Sequence, residues 1–171
     1  MKDRARVVAF VCAAVGALVT FAVVAAGAER FVAKLALPTG QTAVVAEGDA
    51  EARSIGSYSV RLYAQSGSGA SDADSADATF FVAGLIEKRD GTIEAVRLAD
   101  VDRDGREEIV VIIRSAGTGS YLTAHAIAFG EKRLEMRAMV VGLAKDADPV
   151  VALSAATSRG VRGPSYPSGR P

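Results

Sequence analysis

The feature that most constrains the fold is an alternation of apolar and polar residues, with a period near two, between Pro38 and Ala147. In Ser57–Ala64, for example, Tyr58, Val60 and Leu62 fall on one face of an extended chain. Alternation of this kind is typical of a β-strand with one buried face. The runs are short and separated by glycine, aspartate and serine, so the sequence predicts an all-β fold.

About seven such runs are present, and no segment combines clear caps with a helical period. The predicted strands are Thr42–Glu47, Ser57–Ala64, Thr79–Glu87, Thr92–Leu98, Glu108–Arg114, Tyr121–Phe129 and Leu134–Val141. Residues 29–37 fit either a short helix or a further strand. The pattern predicts an antiparallel β-sandwich, or a flattened barrel, of about seven to eight strands.

Local signals between these runs predict further detail. Asp90-Gly91 predicts a hairpin between neighbouring strands, because both residue types tolerate positive φ. The charged run Glu87–Asp90 that leads into it predicts a solvated turn. In the strand that follows, Ile93 and Ala95 are predicted to share one face.

The two ends of the chain differ from the middle. Three basic residues precede an uncharged run, Val7–Ala26, which ends in Ala26-Gly27-Ala28. This order predicts a secretory signal over residues 1–28, cleaved after Ala28. An uncleaved membrane anchor is the alternative, because about 20 apolar residues can span a bilayer. The other end is rich in glycine, proline and serine, so the sequence predicts a folded domain over residues 29–149 and a disordered tail over residues 150–171.

Composition excludes several classes of protein. The chain has 171 residues with 20 basic and 20 acidic side chains, which argues against a nucleic-acid partner. One histidine, His125, and one cysteine, Cys12, exclude a multi-histidine metal site and an intramolecular disulfide. His125 lies in an alternating run and fits a structural residue. No nucleophile elbow or pair of catalytic acids is recognisable, so we expect no enzyme activity, no catalytic residues and no cofactor.

An acidic turn offers the strongest alternative chemistry. Asp100, Asp102 and Asp104 alternate and are followed by Gly105, a spacing that lets carboxylates converge on calcium. A twelve-residue calcium loop would need a carboxylate where Val111 stands. The pattern therefore favours an acidic β-turn whose aspartates accept backbone N–H groups, with no metal. The alternative is an exported, calcium-stabilised structural or adhesive β-domain.

The loop between the fifth and sixth predicted strands carries the candidate binding site. Its glycines let it bulge, and it presents hydroxyl groups beside one aromatic ring, as protein-recognition loops do. An ordinary hairpin loop is the alternative, and a phosphate cradle is a weak one, because no lysine or following helix completes it. The candidate binding residues are Ser115, Gly117, Thr118, Gly119, Ser120 and Tyr121.

Four segments follow one another in a recognisable order: Val45–Asp49, Ser54–Arg61, the acidic turn with its following apolar strand, and Arg114–Tyr121. Together they resemble bacterial periplasmic inhibitors of invertebrate-type (I-type) lysozyme. The resemblance spans about residues 40–130 and implies an antiparallel β-sandwich, a periplasmic location with no membrane attachment after signal cleavage, and a tendency to form a homodimer. It also implies a partner, an I-type lysozyme, whose active-site cleft is blocked by a projecting loop.

The resemblance assigns roles to two residues and includes one departure. The family's hydroxyl-bearing residue and tyrosine, three positions apart, resemble Thr118 and Tyr121, although serine is usual at the first position. Family members finish with further strands that contain aromatic and paired-arginine elements. This chain instead has Lys145–Pro149 and the glycine- and proline-rich end. We therefore expect an open sheet edge near the C-terminus.

Overall fold

The computed structural model describes residues 29–65 and 79–159, which form two four-stranded antiparallel sheets and one helix. The sheet orders are β1-β2-β3-β4 and β5-β6-β7-β8. The strands are β1 Val32–Ala36, β2 Thr42–Glu47, β3 Ile55–Gln65, β4 Thr79–Asp90, β5 Thr92–Ala99, β6 Glu108–Arg114, β7 Leu122–Gly130 and β8 Arg133–Leu143, and the helix is α1 Pro149–Ser158. The predicted all-β sandwich is confirmed. Each predicted run overlaps one of strands β2 to β8, and residues 29–37 supply β1.

The main core lies between the two sheets. Tyr58, Val60 and Leu62 of β3 are fully buried there, as the alternation predicted. They pack in one cluster with Ile109, Val111 and other residues that the second sheet directs inward. The chain is held together by this packing, since burial of apolar surface contributes about 25 cal/mol per Å².

A second core lies on the outer face of the second sheet. Ile109, Val111 and Ile113 of β6 point into the main core. Val110 and Ile112 point the opposite way, into the second core. Because β6 is buried on both faces, its residues are almost continuously apolar and β-branched.

Helix α1 covers this second core and corrects the prediction of a disordered tail from residue 150. Asp148 caps the helix by accepting the N–H of Val150 at 2.8 Å, and Pro149 occupies the first turn. Leu153 and Ala156 are buried. Apolar residues lie on both its buried and its exposed side, as Leu153 and Val151 do, so its sequence shows no clear helical period.

Within the part of the chain that the structure describes, helix α1 therefore follows β8, where the resemblance implied further strands. β8 remains the last strand of its sheet. The predicted signal over residues 1–28 and the end of the predicted tail, residues 160–171, lie outside the described residues. Helix α1, the helix of the described ranges, is not long and apolar enough to cross a membrane.

The predicted hairpin at Asp90-Gly91 is wrong. In the described residues β4 pairs with β3, and β5 pairs with β6, so Gly91 carries the chain from one sheet to the other. Its N–H donates to the carbonyl of Ser54 at 2.8 Å, and its φ is +119°. A Cβ at this position would collide with the carbonyl oxygen of Arg114. Glycine is needed because the two sheets meet there, not because a tight turn joins neighbouring strands.

Candidate functional site

The loop 115–121 connects β6 to β7 beside the Gly91 corner. Arg114 and Leu122 form the last pair of the β6–β7 ladder. One step further, the N–H of Ser115 donates to the carbonyl of Tyr121 at 2.9 Å. The two ends of the loop are therefore tied together and anchored in two interior strands of the second sheet.

Hydrogen bonds inside the loop fix its course. The N–H of Ser120 donates to the carbonyl of Gly117 at 3.2 Å, and the N–H of Gly117 donates to Oγ of Ser115 at 3.3 Å. Ser120 adopts a left-handed conformation with φ +47°, which is uncommon for a residue other than glycine. The Ser115 hydroxyl and the Ser120 backbone thus shape the loop.

Among the polar and aromatic side chains of the loop, Thr118 and Tyr121 are the exposed ones. Thr118 is exposed, and Tyr121 keeps 55% of its surface exposed. The ring of Tyr121 lies across Gly119, where a Cβ would collide with the ring carbons. Gly119 therefore allows one edge of the ring to lie against the loop backbone, while the other edge projects into solvent.

Arg114 and Glu94 hold the base of the loop and were not among the predicted site residues. The Arg114 guanidinium donates to Glu94 through Nε and Nη2, the latter to Oε1 at 2.8 Å. Its Nη1 donates to the carbonyl of Ser120 at 3.0 Å. The hydrogen bond to Glu94 raises the pKa of Arg114. Arg114 is the first residue of the segment Arg114–Tyr121 that carries the family resemblance, and this position next to the candidate loop was the available sequence signal.

A β-bulge brings Glu94 to this position. Ile93 pairs with Ile113 and Ala95 pairs with Ile112, which leaves Glu94 as the extra residue. The prediction that Ile93 and Ala95 share a face is therefore wrong. Ile93 packs in the main core, and Ala95 packs against the second core.

A buried polar cluster supports the neighbouring corner. Arg89 is 2% exposed, so the predicted solvated turn is wrong at this residue. Its guanidinium donates to the carbonyls of Ala52, Arg53, Ser57 and Gly91. Its Nε lies 3.9 Å from Oε1 of the buried Glu47, which also accepts the N–H of Ile93 at 2.7 Å. These carbonyls offset the cost of burying the Arg89 charge, because a buried ion is stable only where it is paired or hydrogen-bonded.

The acidic turn lies at the opposite end of the second sheet, between β5 and β6. Asp100 accepts the N–H groups of Asp104 at 3.2 Å and of Gly105 at 2.9 Å. Asp102 pairs with Arg137, whose Nε lies 2.8 Å from Oδ2. These bonds are those of the acidic β-turn that the sequence favoured.

The same turn contains three carboxylates close to one another. Oxygens of Asp100, Asp102 and Glu108 lie within 4.8 Å of each other. Burial raises the pKa of Glu108, and the neighbouring aspartates raise it further, although Oε2 accepts the N–H of Val101 at 2.9 Å. The calcium alternative therefore concerns these residues, and a thermal experiment tests it.

His125 is a core residue. It is buried, and its Nδ1 lies 2.6 Å from the hydroxyl of the equally buried Tyr58. Burial lowers the pKa of His125 to about 4 and raises that of Tyr58. The interpretation of His125 as a structural residue agrees with this position between the sheets.

Comparison with known proteins decides the family. The family model described as periplasmic lysozyme inhibitor of I-type lysozyme matches residues 29–157. The chain belongs to this family. The match ends within α1, so it includes most of the helix as well as both sheets. No curated protein matches the chain.

Solved structures agree with the family assignment. The crystal structure of the periplasmic inhibitor of I-type lysozyme from Aeromonas hydrophila is 40% identical, with a TM-score of 0.60, and covers 72% of this chain and 98% of its own. The same bacterium's inhibitor, solved in complex with the lysozyme of Meretrix lusoria, is 41% identical with a TM-score of 0.59 and covers 72% and 94%. Membership confirms three predictions: an inhibitor of I-type lysozyme, not an enzyme, in the periplasm.

Proposed function

We propose that this chain blocks the active-site cleft of an I-type lysozyme with the loop 115–121. The observation that carries the proposal is the exposed pair Thr118 and Tyr121 on a loop tied at both ends. The related inhibitor from Aeromonas hydrophila has been solved in complex with a lysozyme, which supports a lysozyme as the target.

The chemistry of the loop suits such a cleft. Glycoside hydrolases of this kind cut their substrate with two carboxyl groups, one of which acts as an acid. The hydroxyl of Thr118 can donate a hydrogen bond to a carboxylate, and such charge-assisted bonds are stronger than neutral ones. The ring of Tyr121 supplies the apolar face and hydroxyl that a sugar subsite accepts. We assign no role in contacting the lysozyme to the Ser115 hydroxyl, because it accepts the N–H of Gly117 within the loop.

An inhibition assay of Tyr121→Ala tests the proposal. The exported wild-type chain should inhibit an I-type lysozyme and leave chicken-type and goose-type lysozymes active. Tyr121→Ala should weaken inhibition about 30-fold or more, equivalent to about 2 kcal/mol, as central aromatic anchors do. The melting midpoint should stay near that of the wild type, because substitutions at exposed loop positions are close to neutral.

Phe80→Ala is the matched control. Phe80 is an aromatic residue of similar exposure, 59%, at the start of β4, whereas the Gly91 corner follows the end of that strand. Its removal should leave inhibition unchanged. Equal inhibition by wild type and Tyr121→Ala, or equal losses in both variants, would refute the role of the loop.

A further inference from the structure

The left-handed conformation of Ser120 needs external support. Such a conformation is unfavourable for a residue other than glycine and persists only where its neighbours determine it. Two hydrogen bonds do so here: Ser120 N–H to Gly117, and Arg114 Nη1 to the Ser120 carbonyl. Because that carbonyl belongs to the peptide that leads into Tyr121, its direction sets where the ring begins.

The Arg114 guanidinium is itself fixed by Glu94. Two of its nitrogens bind the Glu94 carboxylate, and the third is left to hold the loop. A planar guanidinium gripped in this way loses little further freedom on making another bond. The bulge in β5 supplies the carboxylate at the required place.

We propose that Arg114, oriented by Glu94, is a positioning residue for inhibition: it holds the Ser120 carbonyl and thereby the direction of Tyr121. The inference rests on the proposed function of the loop. It assigns to Arg114 and Glu94 a part in affinity that requires no contact with the lysozyme.

The test compares inhibition constants of the exported chain carrying Arg114→Ala, Arg114→Lys, Glu94→Ala or both alanine substitutions. Arg114→Ala should weaken inhibition about tenfold, the scale of a lost hydrogen bond from a charged group. Arg114→Lys should recover part of the loss, since a lysine supplies charge without the planar fork. Glu94→Ala should weaken inhibition about threefold, and the double variant should be no weaker than Arg114→Ala, because Glu94 acts through Arg114.

The control is Arg133→Ala, which removes an exposed arginine paired with Glu135 on β8. It should leave inhibition unchanged. All variants should melt close to the wild type, because exposed ion pairs contribute little to stability.

Amide hydrogen exchange of the free protein gives a readout that does not depend on lysozyme. The amides of Ser115 and Ser120 should exchange faster in Arg114→Ala and Glu94→Ala than in the wild type and in Arg133→Ala. If the wild-type chain fails to inhibit, the proposed function is wrong, while faster exchange would still show that Arg114 holds the loop.

Three results would overturn the positioning role. The first is wild-type inhibition by Arg114→Ala when Tyr121→Ala is weakened. The second is a weakened Arg114→Ala beside an unaffected Glu94→Ala, which would indicate direct contact between Arg114 and the lysozyme. The third is unchanged exchange in the loop.

Discussion

Replacing Leu153 with alanine tests the docking of α1, the element that the sequence analysis missed. Leu153 is 0% exposed and lies in the second core, opposite small residues of the sheet. Its neighbours in that cluster include Ala124, Ala126 and Ala138, which have few atoms with which to fill a void. Leucine-to-alanine changes at buried sites cost about 2–5 kcal/mol, and a rigid sheet favours the upper half of that range.

Urea denaturation measures the loss directly. The free energy of unfolding should fall by about 4 kcal/mol, seen as a lower midpoint at an unchanged slope. Val151→Ala is the control, because Val151 lies on the same helix with 65% of its surface exposed and should change stability by less than about 0.5 kcal/mol. Equal, small losses in both variants would show that the helix does not cover the sheet in solution, and the reasoning would fail.

Four further outcomes are expected. Thr118→Ala should cost about 1–3 kcal/mol of inhibitor affinity with little change in melting midpoint, as an inhibition assay and a melting curve would show. Asp102→Ala should destabilise by about 1 kcal/mol, and millimolar calcium should barely move the wild-type midpoint, whereas a rise of many degrees would favour the calcium-stabilised domain. Because burial lowers the pKa of His125 to about 4, the stability owed to its neutral form is present above about pH 6.5 and is lost as pH falls toward 4, by up to about 3 kcal/mol, and this decline should shrink in His125→Gln. Mass spectrometry of the periplasmic protein should give an N-terminus directly after Ala28, and recovery of the whole chain in membranes would indicate an anchor.

The strands could be predicted because their signal is local. Two strands have the predicted bounds, Thr42–Glu47 and Glu108–Arg114. Their signal, alternation in the first and β-branched residues in the second, lies within the run itself. The candidate loop follows from those bounds. The homodimer, implied by the resemblance, stays a prediction that sedimentation equilibrium can check.

The failures concern residues whose environment is set by distant parts of the chain. In the sequence Arg89 has the features of a surface charge. Its burial depends on the carbonyls of Ala52, Arg53 and Ser57, which are more than 30 residues away along the chain. Asp90-Gly91 has the composition of a hairpin, but Asp90 pairs with the first residue of β3, and Gly91 lies between Ser54 and the end of β6. One indirect signal pointed to helix α1. A strand as apolar as β6 must be covered on both faces, and the sheet formed by β1 to β4 covers only one of them.

The affinity of a small loop depends on residues that need not touch the target. Binding costs free energy for every side chain and peptide that must be ordered, and a loop with two projecting side chains has little contact area to offset that cost. Here the Ser115–Tyr121 hydrogen bond closes the loop, Gly119 seats the Tyr121 ring, and Arg114 fixes the peptide before it. Under the proposed function, this order is established on folding, so more of the contact energy of Thr118 and Tyr121 remains for binding. The proposal therefore gives the sandwich a part in inhibition, which is to keep the loop in one conformation.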